Sequence, residues 1–264
     1  MKKVLLIDGF NLIYRSRGRF NVGEFGIVFS FLRSLRSICE KFNSDEVYFV
    51  LEGRPHHRYD LLPEYKANRV KEVDESFANQ KNIILDILKN YIPINVISHK
   101  NYECDDVIAN LANKVHCKDE CIVVSTDSDF IQLLSKDSNR IKLYNPRKKS
   151  FIDSPDYDYV AWKALVGDKS DNIDGFSGIG PKRAESILEN NLKMQTFLDD
   201  PEKRNLFDRN VNLIKFSTFS NSEISECFHS KTDPKWDELY SRINEMQFHS
   251  MLTEKYWQKF TDTF

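Results

Sequence analysis

Residues 121–130 read "CIVVSTDSDF": four apolar residues, a Ser-Thr pair, then carboxylates at Asp127 and Asp129. A short run rich in β-branched residues and bounded by polar ones has the pattern of a strand buried on both faces. Three earlier runs repeat it: "VLLID" (4–8), "VYFVLE" (47–52) and "NVIS" (95–98). Between them lie longer segments with helical spacing. In "EFGIVFSFLRSLRSICEKF" (24–42) the apolar positions are Ile27, Val28, Phe31, Leu32, Leu35 and Ile38. Strands alternating with helices predict an α/β fold whose central sheet is mostly parallel and flanked by helices. Ligands of such sheets bind beyond the carboxyl ends of the strands.

The bulk properties agree with a soluble globular protein. The chain has 264 residues, enough to bury a sizeable core, and its 41% hydrophobic and 30% charged content argues against disorder. No stretch approaches the roughly 18 consecutive apolar residues of a membrane span. The basic start "MKK" precedes an apolar run that stops at Asp8, too short for a secretory signal. The five cysteines (Cys39, Cys104, Cys117, Cys121 and Cys227) form no CxxC pair. "CKDEC" has no second pair at metal spacing, so reduced thiols in a cytoplasm are the expectation rather than zinc.

The acids carry more information than the net charge. Asp8 closes the first strand, Glu52 the second, and Asp127 the fourth, with Asp129 two residues on. Glu103, Asp105 and Asp106 open the helix "DDVIANLANKV". Singly, each has a plainer reading: a helix cap for Asp127, dipole-favoured first-turn acids in "ECDD", turn chemistry for Asp8 before Gly9. Caps do not require an acid at every carboxyl end of one sheet, however. Converging carboxylates repel unless cations or protons neutralise them. Oxygen ligands without Cys or His point to Mg²⁺ or Mn²⁺.

A further cluster lies in "VGDKSDNIDGFSGIGPKRAESIL" (166–188). Asp168 and Asp171 are three apart, so a helical turn would set them side by side. Gly175, Gly178 and Gly180 allow tight turns, and Pro181 suits the first position of a helix. A glycine-rich turn into a helix start presents amide N–H groups to phosphate, with Lys182 and Arg183 adding charge.

In order along the chain, "IDGFNLIYR", "LPEYKANR", "YECDDVIANLA", "STDSDFIQLL" and "GDKSDNIDGFSGIGPKRA" resemble the 5′-nuclease superfamily. That family includes phage flap endonucleases, 5′–3′ exonucleases and the 5′-nuclease domain of bacterial DNA polymerase I. The resemblance covers most of residues 1–190, and a free-standing, phage-encoded enzyme matches it best. It implies a PIN-like α/β nuclease domain over 1–154, with a helical arch insertion at about 54–82. A helical DNA-binding region follows over 155–264, with a helix-three-turn-helix element at about 168–190.

The same resemblance implies two ions per site, Mg²⁺ with Mn²⁺ as a substitute. Asp8, Glu52, Glu103, Asp105 and Asp106 match the first metal site, and Asp127, Asp129, Asp168 and Asp171 the second. Glu52 departs from the Asp often found there. Lys66 and Arg69 match basic residues that contact the scissile phosphate, and Tyr65 is a candidate to stack on a base. Lys66, Arg69, Asp8, Asp105, Asp127 and Asp129 are the expected catalytic set. Arg15, Gly178, Gly180, Lys182 and Arg183 are the expected DNA contacts, with K⁺ a candidate ion at the helix-three-turn-helix element. The expected partner is DNA with a 5′ flap or single-stranded 5′ end and adjoining duplex, together with replication proteins. The expected state is a monomer in the cytoplasm, that of a bacterial host if phage-encoded.

Neutralising those nine acids would raise the formal charge from −2 to +7, leaving a body basic enough for a phosphate-binding surface. The His pair in "RPHHR" (54–58) reads as a solvated or DNA-facing turn. "PEKRNLFDRNVNLIKFSTF" reads as an amphipathic helix packed on the domain. Trp236, Phe248, Tyr256, Trp257 and Phe260 read as core or docking aromatics. Two rival classes are a PIN-like ribonuclease and a non-catalytic, structure-specific DNA-binding protein. The first usually lacks a "GIGPKRA" element, and the second would have lost some of the nine acids.

Overall fold

In a computed structural model the described residues are 1–18, 23–69 and 74–264. The four apolar runs become strands β1 (Lys3–Asp8), β2 (Glu46–Leu51), β3 (Asn95–Ser98) and β4 (Glu120–Val124). β5 (Ile141–Asn145) and β6 (Ser150–Ile152) follow, then a small ribbon of β7 (Gly167–Asp168) and β8 (Ile173–Asp174), and finally β9 (Phe228–Ser230). The main sheet has the order β6-β5-β4-β1-β2-β3-β9. Its inner five strands are parallel, and its edge strands β6 and β9 are antiparallel. The chain leaves β1 towards β2 and β3, then returns to place β4 and β5 on the other side. The crevice between β1 and β4 is therefore the switch point at which such sheets bind ligands.

The helices are α1 (Gly9–Arg15), α2 (Gly26–Phe42), α3 (His56–Leu61), α4 (Glu75–Asn90), α5 (Cys104–Asn110) and α6 (Tyr159–Val166). They continue as α7 (Pro181–Leu188), α8 (Asn191–Leu198), α9 (Pro201–Ile214), α10 (Asn221–Ser225), α11 (Trp236–Glu245) and α12 (Glu254–Thr261). Alternate residues of β1 separate two cores. Leu5 and Ile7 face α2, α4, α11 and α12, whereas Val4 and Leu6 face α5. A third core joins α6, α7 and α9. Gly9 has a packing reason: a Cβ there would lie 2.5 Å from the Val50 carbonyl, so only glycine lets α1 start this close to β2.

Three expectations are corrected. Residue 155 does not begin an all-helical remainder, because β9 joins the main sheet beside β3. Nor does a boundary at 154/155 divide the packing. Leu239, Ile243, Phe248, Met251 and Phe260 are buried in the same core as β1 and α2, since the chain returns to cover a sheet face that α2 and α4 leave open. The arch expected over 54–82 overlaps a core helix. Residues 75–82 are the first half of α4, which buries Phe77 and Ile84 against α2, and residues 70–73 of the expected arch lie outside the described residues. Among the described residues, no helix is long and apolar enough to cross a membrane.

Candidate metal centre and nucleic-acid surface

The carboxyl edge of the sheet holds a cleft of about 410 Å³. Asp8, Glu52, Glu103, Asp105 and Asp127 line it, with Lys66, Arg69, Tyr14 and Arg54 among its other walls. Asp8 and Asp127 both cap the elements that follow them, the plain reading of Asp127 but not of Asp8, for which turn chemistry is the expectation. Asp8 Oδ1 accepts the Asn11 N–H (3.2 Å) at the start of α1. Asp127 Oδ1 accepts the Asp129 N–H (2.9 Å) at the start of a 3₁₀ turn, Ser128–Leu133. The caps aim these carboxylates rather than use them up. Asp8 Oδ2 also accepts from Ser125 Oγ (2.7 Å) across the β1–β4 crevice, and Glu52 Oε2 accepts the Cys104 N–H (3.0 Å).

Three acids of this edge resist ionisation. Burial, opposed by hydrogen bonds from Ser125 and Asn11, pushes the Asp8 carboxyl up to about 6. Burial, with Glu103 and Asp8 adding repulsion, pushes Glu52 up to about 7. Asp105 is raised well above the ordinary carboxylate range by burial and then by Glu52, Asp127 and Asp8. Such a set is neutralised by cations or by protons.

Asp129, Asp168 and Asp171 form a second cluster, offering oxygens that all lie within 4.8 Å of one another. A turn, not a helix, brings Asp168 and Asp171 together: the Asp171 N–H donates to the Asp168 carbonyl (3.2 Å) beyond β7. Glu103 and Asp105 stand between the clusters, lining both the cleft and the recess at Asp129, Asp168 and Asp171. Asp127, expected in the second set with Asp129, lines the cleft with Asp8 instead, whereas Asp129 lines the recess. Lys163 of α6 bonds Asp129 and also reaches Asp168 at 2.6 Å. Burial opposes charge on Lys163, but Asp129 and Asp168 outweigh it and raise its pKa. Asp168 is held below its usual range because Lys163 and Ser170 outweigh its burial.

Arg58 makes a buried knot below the cleft. Its guanidinium donates to Glu103 Oε2 (2.5 Å), to both oxygens of Asp106 (2.8 Å each) and to the Leu213 carbonyl (3.0 Å). Asp106 is therefore corrected as a metal ligand. It is 0% exposed, with its oxygens taken by Arg58 and the Ser217 N–H (2.8 Å). Tyr65 is likewise corrected as a base-stacking residue. At 3% exposure its ring is core, and its hydroxyl meets Glu103 Oε2 (2.9 Å) and Asp171 Oδ2 (3.1 Å). Lys66 Nζ lies 2.5 Å from Glu103 Oε1 and 3.6 Å from Asp171, and Arg69 donates to Asp171 Oδ1 (2.6 Å). Burial disfavours ionising Glu103, yet Lys66 and Arg58 hold its carboxyl below the ordinary range.

Arg15 sits half-buried in the last turn of α1. Gly178, with φ +75°, and Gly180, the N-cap of α7, form the turn before Pro181. A Cβ on Gly180 would meet nothing, so its backbone faces open space. Lys182 and Arg183 are exposed beside it. The sequence reading missed Arg58, Ser125, Lys163 and Tyr14. A single lysine within the apolar helix "YVAWKALV" was the signal for Lys163. Tyr14, on the cleft wall with its ring 4.8 Å from that of Phe77, is still 54% exposed, unlike Tyr65.

Residues 3–161 match the family described as 5′-3′ exonuclease, N-terminal resolvase-like domain. A 5′-3′ exonuclease of Mycoplasmopsis pulmonis (strain UAB CTIP) is 32% identical over 221 residues, spanning 79% of this chain and 73% of the relative. A 5′-3′ exonuclease of Aquifex aeolicus (strain VF5) is 30% identical over 283 residues, spanning 96% of this chain and 95% of the relative. A bacteriophage T5 flap endonuclease, solved in complex with DNA and metal ions, shares the fold. Its TM-score is 0.66 at 20% identity, over 99% of this chain and 98% of that one.

Proposed function

We propose, from the premise that this chain belongs to the 5′-3′ exonuclease family, that it hydrolyses DNA phosphodiesters at 5′ ends and 5′ flaps during replication or repair. The observation that carries the reading is the meeting of acids from β1, β2, β4 and α5 in one cleft walled by Lys66 and Arg69. The residues fit divalent metal. Asp8, Glu52 and Asp105 are buried oxygen donors whose pKa values are raised by burial and by neighbouring acids, and Asp129, Asp168 and Asp171 offer a compact second set. Hard oxygen donors favour Mg²⁺, with Mn²⁺ as a substitute. Asp8, Glu52, Glu103, Asp105 and Asp127 would hold one ion, and Asp129, Asp168 and Asp171 the other. When bound, two such ions would supply Lewis-acid polarisation of a phosphodiester, a lowered pKa for an attacking water and stabilisation of the leaving oxygen.

The chain's own groups do the rest. The caps fix the carboxylates on rigid strand ends. Lys66 and Arg69 meet the scissile phosphate, and Tyr14 offers its face to a base. The Gly178–Gly180 turn, Lys182 and Arg183 hold the phosphates of adjoining duplex, with Arg15 a further phosphate contact. K⁺ is a candidate ion at that turn, replication proteins are candidate partners, and the chain acts as a monomer. The test incubates labelled 5′-flap DNA and its RNA equivalent with the protein, in Mg²⁺ and in EDTA. Cleavage of DNA in Mg²⁺ only, abolished by Asp127→Asn with Asp129→Asn while DNA binding persists, supports the reading. Cleavage of the RNA alone favours a ribonuclease, and near-wild-type cleavage by the double variant overturns the metal site.

A further inference from the structure

The turns that carry Lys66 and Asp171 are fastened together by two asparagines. Segments 64–69 and 168–172 run antiparallel. Asn172 Nδ2 donates to the Glu64 carbonyl (2.9 Å), the Lys66 N–H donates to the Asp171 carbonyl (3.0 Å), and Asn68 Nδ2 donates to the Lys169 carbonyl (2.5 Å). Each turn thus sends one side-chain amide to the other's backbone, on either side of a central backbone bond. Two non-glycine residues of the junction, Lys66 (φ +58°) and Asn172 (φ +60°), have left-handed backbones. That conformation is disfavoured for a lysine and persists only where surrounding contacts over-determine it. The contacts here are the clasp.

We infer that Asn68 and Asn172 are positioning residues. They hold the left-handed turn at Lys66 so that its ammonium lies 2.5 Å from Glu103 and 3.6 Å from Asp171, between the two acid clusters. Both side-chain amides bond backbone carbonyls of the facing turn, so the asparagines act through the backbone that carries Lys66. The inference rests on the nuclease reading for what Lys66 does, but the clasp itself is a property of the free protein.

The experiment uses Asn172→Gly, Asn68→Ala, Lys66→Ala and the combinations with Lys66→Ala. Glycine accepts the positive φ of position 172, so that substitution removes the amide without adding strain. The first readout is hydrogen exchange at the Lys66 amide in the free protein, with Tm as the folding control. The second is single-turnover cleavage of a 5′-flap DNA in Mg²⁺, paired with Kd in Ca²⁺. Each asparagine variant should speed exchange at Lys66 and slow single-turnover cleavage about three- to tenfold, the worth of a typical net hydrogen bond. Kd should move less than twofold. With Lys66→Ala already in place, loss of either asparagine should slow cleavage no further. A full additional loss in that background, unchanged exchange at Lys66, or a Kd that rises as far as the rate falls would each overturn the inference. A wild-type protein that leaves the DNA intact in Mg²⁺ would sink the nuclease reading instead, and the exchange result would still decide the clasp.

Discussion

Lys163 places its ammonium 2.6 Å from the Asp168 carboxylate while also bonding Asp129. The second acid cluster thus contains a positive charge from the protein's own chain, and Lys163 is itself buried. Removing one partner of a buried ion pair typically destabilises by about 3–5 kcal/mol. Lys163→Met should therefore lower Tm in EDTA by several degrees and enlarge the rise in Tm that Mg²⁺ produces, because Asp129 and Asp168 then lose their lysine partner. Thermal melts of both proteins, with and without Mg²⁺, decide it. An unchanged Tm in EDTA would count against a counter-ion role.

Lys66→Ala should slow the chemical step far more than it weakens binding. One phosphate contact among many is a small share of duplex affinity, about 0.9 in the salt slope. A cation that meets charge developing in the transition state is worth about 10²–10³ in rate. Alanine inherits the same left-handed backbone as lysine, so the substitution adds no new strain at φ +58°. Single-turnover rates set against Kd in Ca²⁺ separate the cases. Equal factors in rate and Kd would make Lys66 a docking contact only.

Gly180→Val should leave Tm unchanged within about 1 °C, because a Cβ at Gly180 meets nothing and φ there is −94°. It should still raise Kd for duplex-containing DNA, by roughly tenfold if one close backbone–phosphate contact is lost. A short single strand should bind as before. Equal change for both ligands, or none, would make the turn structural.

The acids of the cleft predict an inverted pH dependence in EDTA. Asp8 and Glu52 have folded pKa values raised to about 6 and about 7, above those of the unfolded chain. Between pH 4 and 7 the folded state therefore binds more protons, and stability rises as pH falls through that window. Each fully differing proton contributes about 1.4 kcal/mol per pH unit. Glu103 and Asp168, whose pKa values are depressed, act oppositely, and their contribution is lost only at more acidic pH. Tm in EDTA should increase from pH 7.5 to 5.5, and saturating Mg²⁺ should flatten the trend. A Tm that falls over this range in EDTA would mean the acids are already neutralised by other means.

Much of the fold was legible because strand burial leaves a direct trace in sequence. "VLLID", "VYFVLE", "NVIS" and "CIVV" read as strands from apolar runs alone, and their order with the helices implied the parallel sheet. The acids at the strand ends were legible for the same reason: once the sheet is parallel, its carboxyl ends share one edge. β9 was not legible, because "FHS" is three residues long and is a strand only through pairing with β3.

The sequence by itself determined which residue types lie where: carboxylates at the ends of buried strands, a glycine-rich turn before Pro-Lys-Arg, and basic residues in "EYKANR". Only the tertiary structure decided which of these groups face the cleft and which neutralise one another. Asp105 and Asp106 are neighbours, yet Asp105 lines the cleft while Asp106 is closed off by Arg58. Tyr65 and Lys66 are neighbours too, one sealed in the core and the other on the cleft wall. Local periodicity sets the side of an element on which a residue lies. Charge partners such as Arg58 for Asp106, Asp171 for Lys66 and Lys163 for Asp129 are tens of residues distant in the chain, and only packing brings them within reach.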